Sequence, residues 1–366
     1  MVQAKSLTYL LSKILLLYLF VITSFVLHSF ALESAANENN HKIIKEFTLD
    51  KNIRKEFEVM VEHTLIDPYE NPHIYSGIAG KTLEKLLPNE LKKEIRLMDE
   101  GGADLIIIHN FPIDSHIPIT PKDSTRPPSK FLSDSNLENA KGFVSEASIL
   151  GLGYFLDAAP FYKKEEKDGT VINQIISIKN DQYKSQRSSY GSSLELFPHT
   201  ENVYQVPPLK YFTLLCLRGD PKVATSLIFF DDMLSYIKKL YPQNTQKIIR
   251  IMKQPLFIMS SGPSHGNSKS QSILPIIENT EKGETIFRLN LNPERTVGTT
   301  PEAEEVVTLL RKVITSKDFR ERYYKRIYLS EGDLILFNNW RVMHARDAFE
   351  IDPKYWRWLQ RCYFRK

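Results

Sequence analysis

The sequence predicts a mainly β fold with flanking helices, a sandwich or a jelly roll. Three observations lead there. From Thr170 onward, short runs of β-branched and aromatic residues recur at close intervals, separated by glycine-containing turns such as Glu331-Gly332-Asp333. Helical periodicity is confined to a few stretches between those runs. The 366 residues, 42% of them hydrophobic and 25% charged, suffice for one large domain with a sizeable core.

Taken in order, the chain opens with Lys5 and Lys13 ahead of an uncharged run, Ile14–Leu27, and then Ser29-Phe30-Ala31. Small residues at the −3 and −1 positions of a cleavage site give residues 1–31 the form of a secretory signal peptide. The expectation is an exported protein, periplasmic or secreted, with no membrane span left after cleavage. The alternative is an anchor formed by residues 14–27, although that run is short for a spanning helix. Residues 32–94 are expected to be an N-terminal linker and helices. The stretch 32–60 reads as polar linker, and Thr82–Met98 as two short helices broken at Pro88 and stopped by Gly101-Gly102. The catalytic domain is expected to span 95–366. Within it Asp104–His109 is the first strong strand. Pro118–Ala140 is a Pro- and Ser-rich loop of a kind that covers sites, and Gly142–Phe155 is helical.

Further strands are expected at Val171–Ile178, Leu194–Phe197, Tyr211–Leu217, Ser226–Phe230, Glu284–Leu291, Ile327–Leu329, Asp333–Phe337 and Arg357–Phe364. Helices interrupt them at Asp232–Leu240 and Pro301–Ile314. The second has Thr300 as N-cap and Pro301 at the first helical position. The 48 basic and 44 acidic residues, net +4, are too balanced for a nucleic-acid binder. Cys216 and Cys362 both sit in apolar runs and are expected to be buried free thiols, with a disulfide left open by sequence. The chain has no CxxC, which excludes a zinc ribbon.

Among nine histidines, only His199 is followed two residues later by a carboxylate, in His199-Thr200-Glu201. In a strand, residues i and i+2 share a face, so both side chains could approach one metal. A second histidine far downstream would complete two histidines and one carboxylate, leaving positions open for a bidentate keto acid and O₂. One such tripeptide is expected by chance in a chain of this composition, so the C-terminal residues carry the weight. His344 follows a strand ending at Asn338-Asn339, and Arg357 and Arg361 come shortly after it. Being four apart, the two arginines would share a strand face about 13 Å from each other, at roughly 3.3 Å per residue. That spacing suits two different carboxylates, which arginine pairs with bidentately.

These segments together resemble the clavaminate synthase-like group of the taurine dioxygenase superfamily. By motif they are most similar to the asparagine and arginine oxygenases that hydroxylate free amino acids at C3. The matching segments are Leu196-Phe197-Pro198-His199-Thr200-Glu201-Asn202, Tyr211–Arg218, Gly332–Asn339, His344 and Arg357-Trp358-Leu359-Gln360-Arg361. The resemblance covers roughly residues 95–366 and implies a mainly β fold with flanking helices on a double-stranded β-helix (jelly-roll) core. It implies iron(II) held by His199, Glu201 and His344, with 2-oxoglutarate as cosubstrate and O₂ as oxidant. It also implies that Arg357 takes the distal carboxylate of 2-oxoglutarate and that Thr225 contacts the same cosubstrate. Arg361 would hold the α-carboxylate of a small-molecule substrate. Ser189, among Ser188-Ser189 and Ser192-Ser193, lies where the family has substrate contacts. At Asn290 the family often has an acidic residue near the substrate side chain, and its replacement argues against a cationic substrate such as arginine. The activity implied is hydroxylation of an unactivated C–H bond, in a free amino acid or derivative. Rival readings are the same fold acting on a sulfonate or peptide or as a desaturase, and an exported binding protein without turnover. The intact His199, Glu201, His344 and Arg357 speak against the last.

Overall fold

The computed structural model describes residues 42–120 except 63 and 65, 143–161, 170–179, 183, 186–262 and 270–366. The expected signal segment 1–31 lies outside the described residues, as does most of the loop Pro118–Ala140. In chain order the strands are β1 (Ile44–Thr48), β2 (Leu105–His109), β3 (Ala159–Phe161), β4 (Ile172–Ile176), β5 (Leu196–His199), β6 (Tyr211–Arg218), β7 (Thr225–Phe229) and β8 (Phe257–Ser260). They continue with β9 (Gln271–Leu274), β10 (Ile277–Asn279), β11 (Thr285–Phe287), β12 (Thr296–Gly298), β13 (Lys325–Ile327), β14 (Leu334–Asn338), β15 (Val342–Arg346) and β16 (Trp358–Arg365). The helices are α1 (Lys51–Val61), α2 (Pro72–Leu86), α3 (Asn89–Leu97), α4 (Val144–Leu156), α5 (Phe230–Leu240), α6 (Thr245–Met252), α7 (Pro301–Ile314) and α8 (Lys317–Tyr323).

Two sheets form the core. The major one runs β1-β2-β14-β6-β16-β3, with β4 also paired to β16, and the minor one runs β13-β7-β15-β5. Between their facing surfaces lies an apolar layer that includes Phe212, Leu214, Leu227, Phe337, Val342, Leu359 and Tyr363. The outer face of the major sheet packs on α1 to α4. The outer face of the minor sheet packs on α5, α6 and α7. Strand period explains how both faces are served. In β16, Trp358, Cys362 and Phe364 join the helix-side core while Leu359 and Tyr363 join the inter-sheet layer. Arg361 therefore shares the inner face with Leu359 and Tyr363. In β15, Met343 and Ala345 face the helices, and Val342 faces inward. His344 and Arg346 stand on the same side as Val342.

The expected helices at 232–240 and 301–314 are present, and Thr300 caps the latter by accepting from the Ala303 amide at 3.2 Å. The stretch 32–60, read as linker, departs from expectation. Residues 44–48 form β1, parallel to β2 in the major sheet, and 51–61 form α1, which buries Phe57 and Val61. Asp50 caps α1 through the Asn52 amide, at 2.7 Å. A highly charged helix with two anchoring apolar residues leaves little periodic signal for sequence to show. The compact unit thus begins at Ile43. Expected strand 284–291 shortens to 285–287, and residues 289–291 pair instead with the end of β5, the Thr200 amide donating to the Leu289 carbonyl at 2.8 Å and the Leu291 amide to the Pro198 carbonyl at 3.0 Å. Cys216 and Cys362 are both free and buried, and they belong to the layers on opposite sides of the major sheet.

Behind β16 lies a buried polar cluster. Glu146 of α4 is 2% exposed and accepts from the Tyr69 hydroxyl at 2.7 Å and from Gln360 at 2.9 Å. Burial, then the charge of nearby Asp114, pushes its pKa up to about 7. A carboxyl raised in the fold contributes stability that is fully present below its ordinary value of 4.5 and is lost as pH rises through 7. Glu146→Gln keeps the accepting oxygen and removes the titration. The melting temperature of the variant relative to the native chain is expected to climb between pH 5 and pH 8. A difference independent of pH would show that Glu146 does not titrate in this window.

Candidate active site

Residues of β5, β15 and β16 line a cavity that opens to solvent. His199 ends β5 and His344 lies in β15, and the two residues are register partners. Their rings stand 4.2 Å apart. One ligand-type atom from each of His199, Glu201 and His344 lies within 4.8 Å of the others, and all three residues are buried. The i, i+2 strand geometry expected of His199 and Glu201 holds only in part. The strand stops at His199, and Glu201 sits in the following turn. Asn339 fixes that turn, its side chain accepting from the Glu201 amide at 2.7 Å and donating to the Glu201 carbonyl at 3.0 Å. Thr200 ties it to Leu289 on the other side, and Asn202 adopts a left-handed φ of 51°.

Protonation suits a divalent metal. His199 donates from Nδ1 to the Phe197 carbonyl at 2.8 Å, so its Nε2 carries the lone pair. Burial, with the neighbouring His344, lowers its pKa to about 3, and the ring is neutral at pH 7. His344 has a buried Nδ1 that finds no hydrogen-bond partner among the described residues. For Glu201, burial would favour the neutral acid. The Arg361 guanidinium and the two imidazoles outweigh it and hold the carboxyl well below its ordinary range. Two imidazoles, that of His199 neutral, and one carboxylate make a donor set that fits iron(II) with open positions. Each Glu201 oxygen is already held: Oε1 accepts from Arg361 at 2.7 Å and Oε2 from the Tyr363 hydroxyl at 2.9 Å.

Arg357 precedes β16 and is buried. It donates to the Thr225 hydroxyl at 2.8 Å, so the two residues expected to share the cosubstrate meet in the cavity wall. The model of the taurine catabolism dioxygenase TauD, TfdA family matches residues 133–363. The chain belongs to that family. It is accordingly an enzyme of the iron(II)- and 2-oxoglutarate-dependent oxygenase class, with the His-Glu-His set in place. An L-asparagine oxygenase of Streptomyces coelicolor is 23% identical over 274 residues, 72% of each chain. An enduracididine beta-hydroxylase of Streptomyces hygroscopicus is 22% identical over 296 residues, 75% of this chain and 81% of the relative. The crystal structure of an asparagine oxygenase with Fe(II), 2S,3S-3-hydroxyasparagine and succinate superposes with a TM-score of 0.67. It is 20% identical and covers 87% of this chain and 92% of that one. The TauD-like fold expected from sequence is thus the fold found.

Within this TauD/TfdA site, Ser188, Ser189 and Asn290 line the cavity. Asn290 also forms an isolated bridge with His199. Ser192 and Ser193 line a separate depression, so the four serines divide between two places. Sequence reasoning missed Tyr363, Asn339, Arg346, Arg187 and Arg295. Tyr363 was within reach of the period-2 argument, being two residues beyond Arg361. Asn339 stood in the matched segment without an assigned task. No local signal marks Arg187 or Arg295.

Tyr363→Phe keeps the ring and removes the hydrogen bond to Glu201, the carboxylate of the candidate metal site. Loss of such a partner is expected to raise the dissociation constant for iron(II) about 10- to 100-fold. Anaerobic iron titration, with melting temperature as a control for folding, checks it. An unchanged constant would show that Arg361 alone sets the carboxylate.

Proposed function

We propose that this chain hydroxylates an unactivated C–H bond of a free amino acid or close derivative, coupled to oxidative decarboxylation of 2-oxoglutarate to succinate and CO₂. The observation that carries the reading is one cavity holding both the His199–Glu201–His344 set and the Arg357–Thr225 pair, with Arg361 beside them. Relatives whose names specify asparagine and enduracididine support the amino-acid class. Bound at the triad, iron(II) supplies the oxygen activation and the C–H chemistry.

The protein's own part is binding, orientation and exclusion of water. His199 offers Nε2 because the Phe197 carbonyl holds its other nitrogen. Arg357, buried beside a neutral hydroxyl, is suited to the distal carboxylate of 2-oxoglutarate. Arg361 reaches Glu201 from the cavity side and can share its remaining donors with a substrate α-carboxylate, since a guanidinium carries five. Leu214 and Leu359 give the cavity an apolar wall, and Phe212, stacked on Phe337 at 4.2 Å, packs 5.2 Å from the His344 ring. The test is anaerobic reconstitution with iron(II) and 2-oxoglutarate, admission of O₂, and succinate assay across free amino acids. Stimulation by at least one amino acid is expected, and absence of any 2-oxoglutarate turnover rejects the reading.

Export remains a proposal that rests on the form of residues 1–31. Cleavage after Ala31 predicts a mature N-terminus at Leu32, which N-terminal sequencing decides. A cytosolic product starting at Met1 rejects it. No helix among the described residues is long and apolar enough to cross a membrane.

A further inference from the structure

Charge in the cavity is strongly one-sided. Arg187, Arg295, Arg346, Arg357 and Arg361 line it, and among the described lining residues Glu201 is the one carboxylate. Arg361 is paired with Glu201. The other four donate to neutral oxygens: Arg187 to the Glu195 carbonyl, Arg295 to the Ser261 carbonyl, Arg346 to the Leu194 carbonyl and Arg357 to the Thr225 hydroxyl. Iron(II) and the 2-oxoglutarate dianion cancel in charge, so loading the enzyme leaves the excess standing. A zwitterionic substrate does not reduce it, and a cationic one adds to it.

The neutral groups at the substrate end point the same way. Asn290 Oδ1 accepts from the Asn292 backbone amide at 3.1 Å and from the Asn292 side chain at 2.9 Å. A backbone N–H can only donate, so that atom is the oxygen and both its lone pairs are filled. What Asn290 has left for the cavity is an NH₂ group, a donor. Arg187 and Arg295 line the same cavity as Asn290. Asn292 accepts from the Phe197 amide at 3.0 Å, and Arg187 lies over the Phe197 ring at 4.3 Å. Arg295 closes the turn that follows, its amide donating to the Asn292 carbonyl at 3.2 Å.

We infer that the substrate is an acidic amino acid, its side-chain carboxylate held by Arg295 and Arg187 beside the Asn290 amide. The inference rests on the oxygenase reading above and adds the substrate class. An amide side chain offers an accepting oxygen too, but its NH₂ group would be set against the guanidinium donors and gains none of the charge pairing, so acid and amide are told apart.

The experiment compares L-aspartate, L-glutamate, L-asparagine, L-glutamine, L-arginine and L-lysine on the iron-loaded enzyme. It reads both amino-acid-stimulated succinate formation and anaerobic calorimetric binding in the presence of 2-oxoglutarate. An acid is expected to exceed its own amide by at least about tenfold in both, since mismatched polar groups discriminate strongly, and the cations should not bind. Arg295→Gln is expected to bring the acid-to-amide ratio near one. Should that variant fold poorly, Arg187→Gln tests the same ratio, and Asn290→Asp should raise the rank of arginine and lysine. If an amide or a cation outranks the acids, or if none of the six binds, the acidic-substrate inference is overturned. Slow 2-oxoglutarate turnover without substrate would then still uphold the oxygenase reading, and its absence would remove both.

Discussion

His344→Ala is expected to abolish 2-oxoglutarate-dependent turnover and to weaken iron(II) binding by more than about 100-fold. Partners that merely orient a ligand already cost about 10- to 100-fold when removed, and His344 is one of three groups whose ligand atoms converge within 4.8 Å. Removing it leaves Glu201 with Arg361 and Tyr363, two donors that satisfy the carboxylate without a metal. The site then has less reason to admit a cation. The measurement is anaerobic titration with iron(II) and 2-oxoglutarate, followed by the weak visible band that a chelated keto acid gives. The band should be lost. Folding must be checked independently, because His344 is flanked by both Leu227 and His199 in the minor sheet and touches the Phe212 and Phe337 rings. A variant with a native melting temperature and an unchanged band would end the assignment of the triad.

How much of this was legible in the sequence depended on what each element had to bury. β6, β14 and β16 are rich in branched and aromatic residues and buried on both faces, and each was found within a residue or two. β1 is partly exposed along its length, and five of the eleven residues of α1 are charged, so neither stands out against a polar segment. The triad was legible because the His199–Glu201 pair stands in one ordered set of motifs with His344, Arg357 and Arg361. Its geometry was not. Glu201 leaves the strand and is set by Asn339, 138 residues away, through two hydrogen bonds to its backbone. A contact that distant has no local trace. The same holds for Arg346, whose proximity to Arg357 follows from packing the minor sheet on the major one. Burial, with the Arg357 charge, lowers the Arg346 pKa to about 9, a mark of two cations enclosed together that no spacing rule could supply.

Arg357→Ala and Arg361→Ala are expected to fail in different ways. Both residues belong to the inner side of the major sheet, yet their partners differ. Arg357 donates to Thr225 on β7, across the inter-sheet layer. Arg361 donates to Glu201 and reaches Asn173 on β4, 3.4 Å away. 2-Oxoglutarate brings a distal carboxylate that the metal does not hold, and an amino-acid substrate brings another, and one guanidinium cannot pair bidentately with both. Truncating either partner of a buried charge pair costs roughly 2–5 kcal/mol, on the order of 30- to several thousand-fold in affinity. Arg357→Ala should place that loss on 2-oxoglutarate, seen as a raised KM even in slow turnover without substrate. Arg361→Ala should place it on the amino acid, seen as lost stimulation of succinate formation. It should also change iron(II) affinity, because it releases Glu201 Oε1. Lysine at either position restores part of the function at most, since an ammonium lacks the planar fork. Iron titration together with KM for 2-oxoglutarate separates the two variants. If Arg361→Ala raises that KM and Arg357→Ala does not, the roles are exchanged between the two arginines. If neither variant affects either ligand, β16 is only a structural strand and the amino-acid substrate class loses the residue that anchors it.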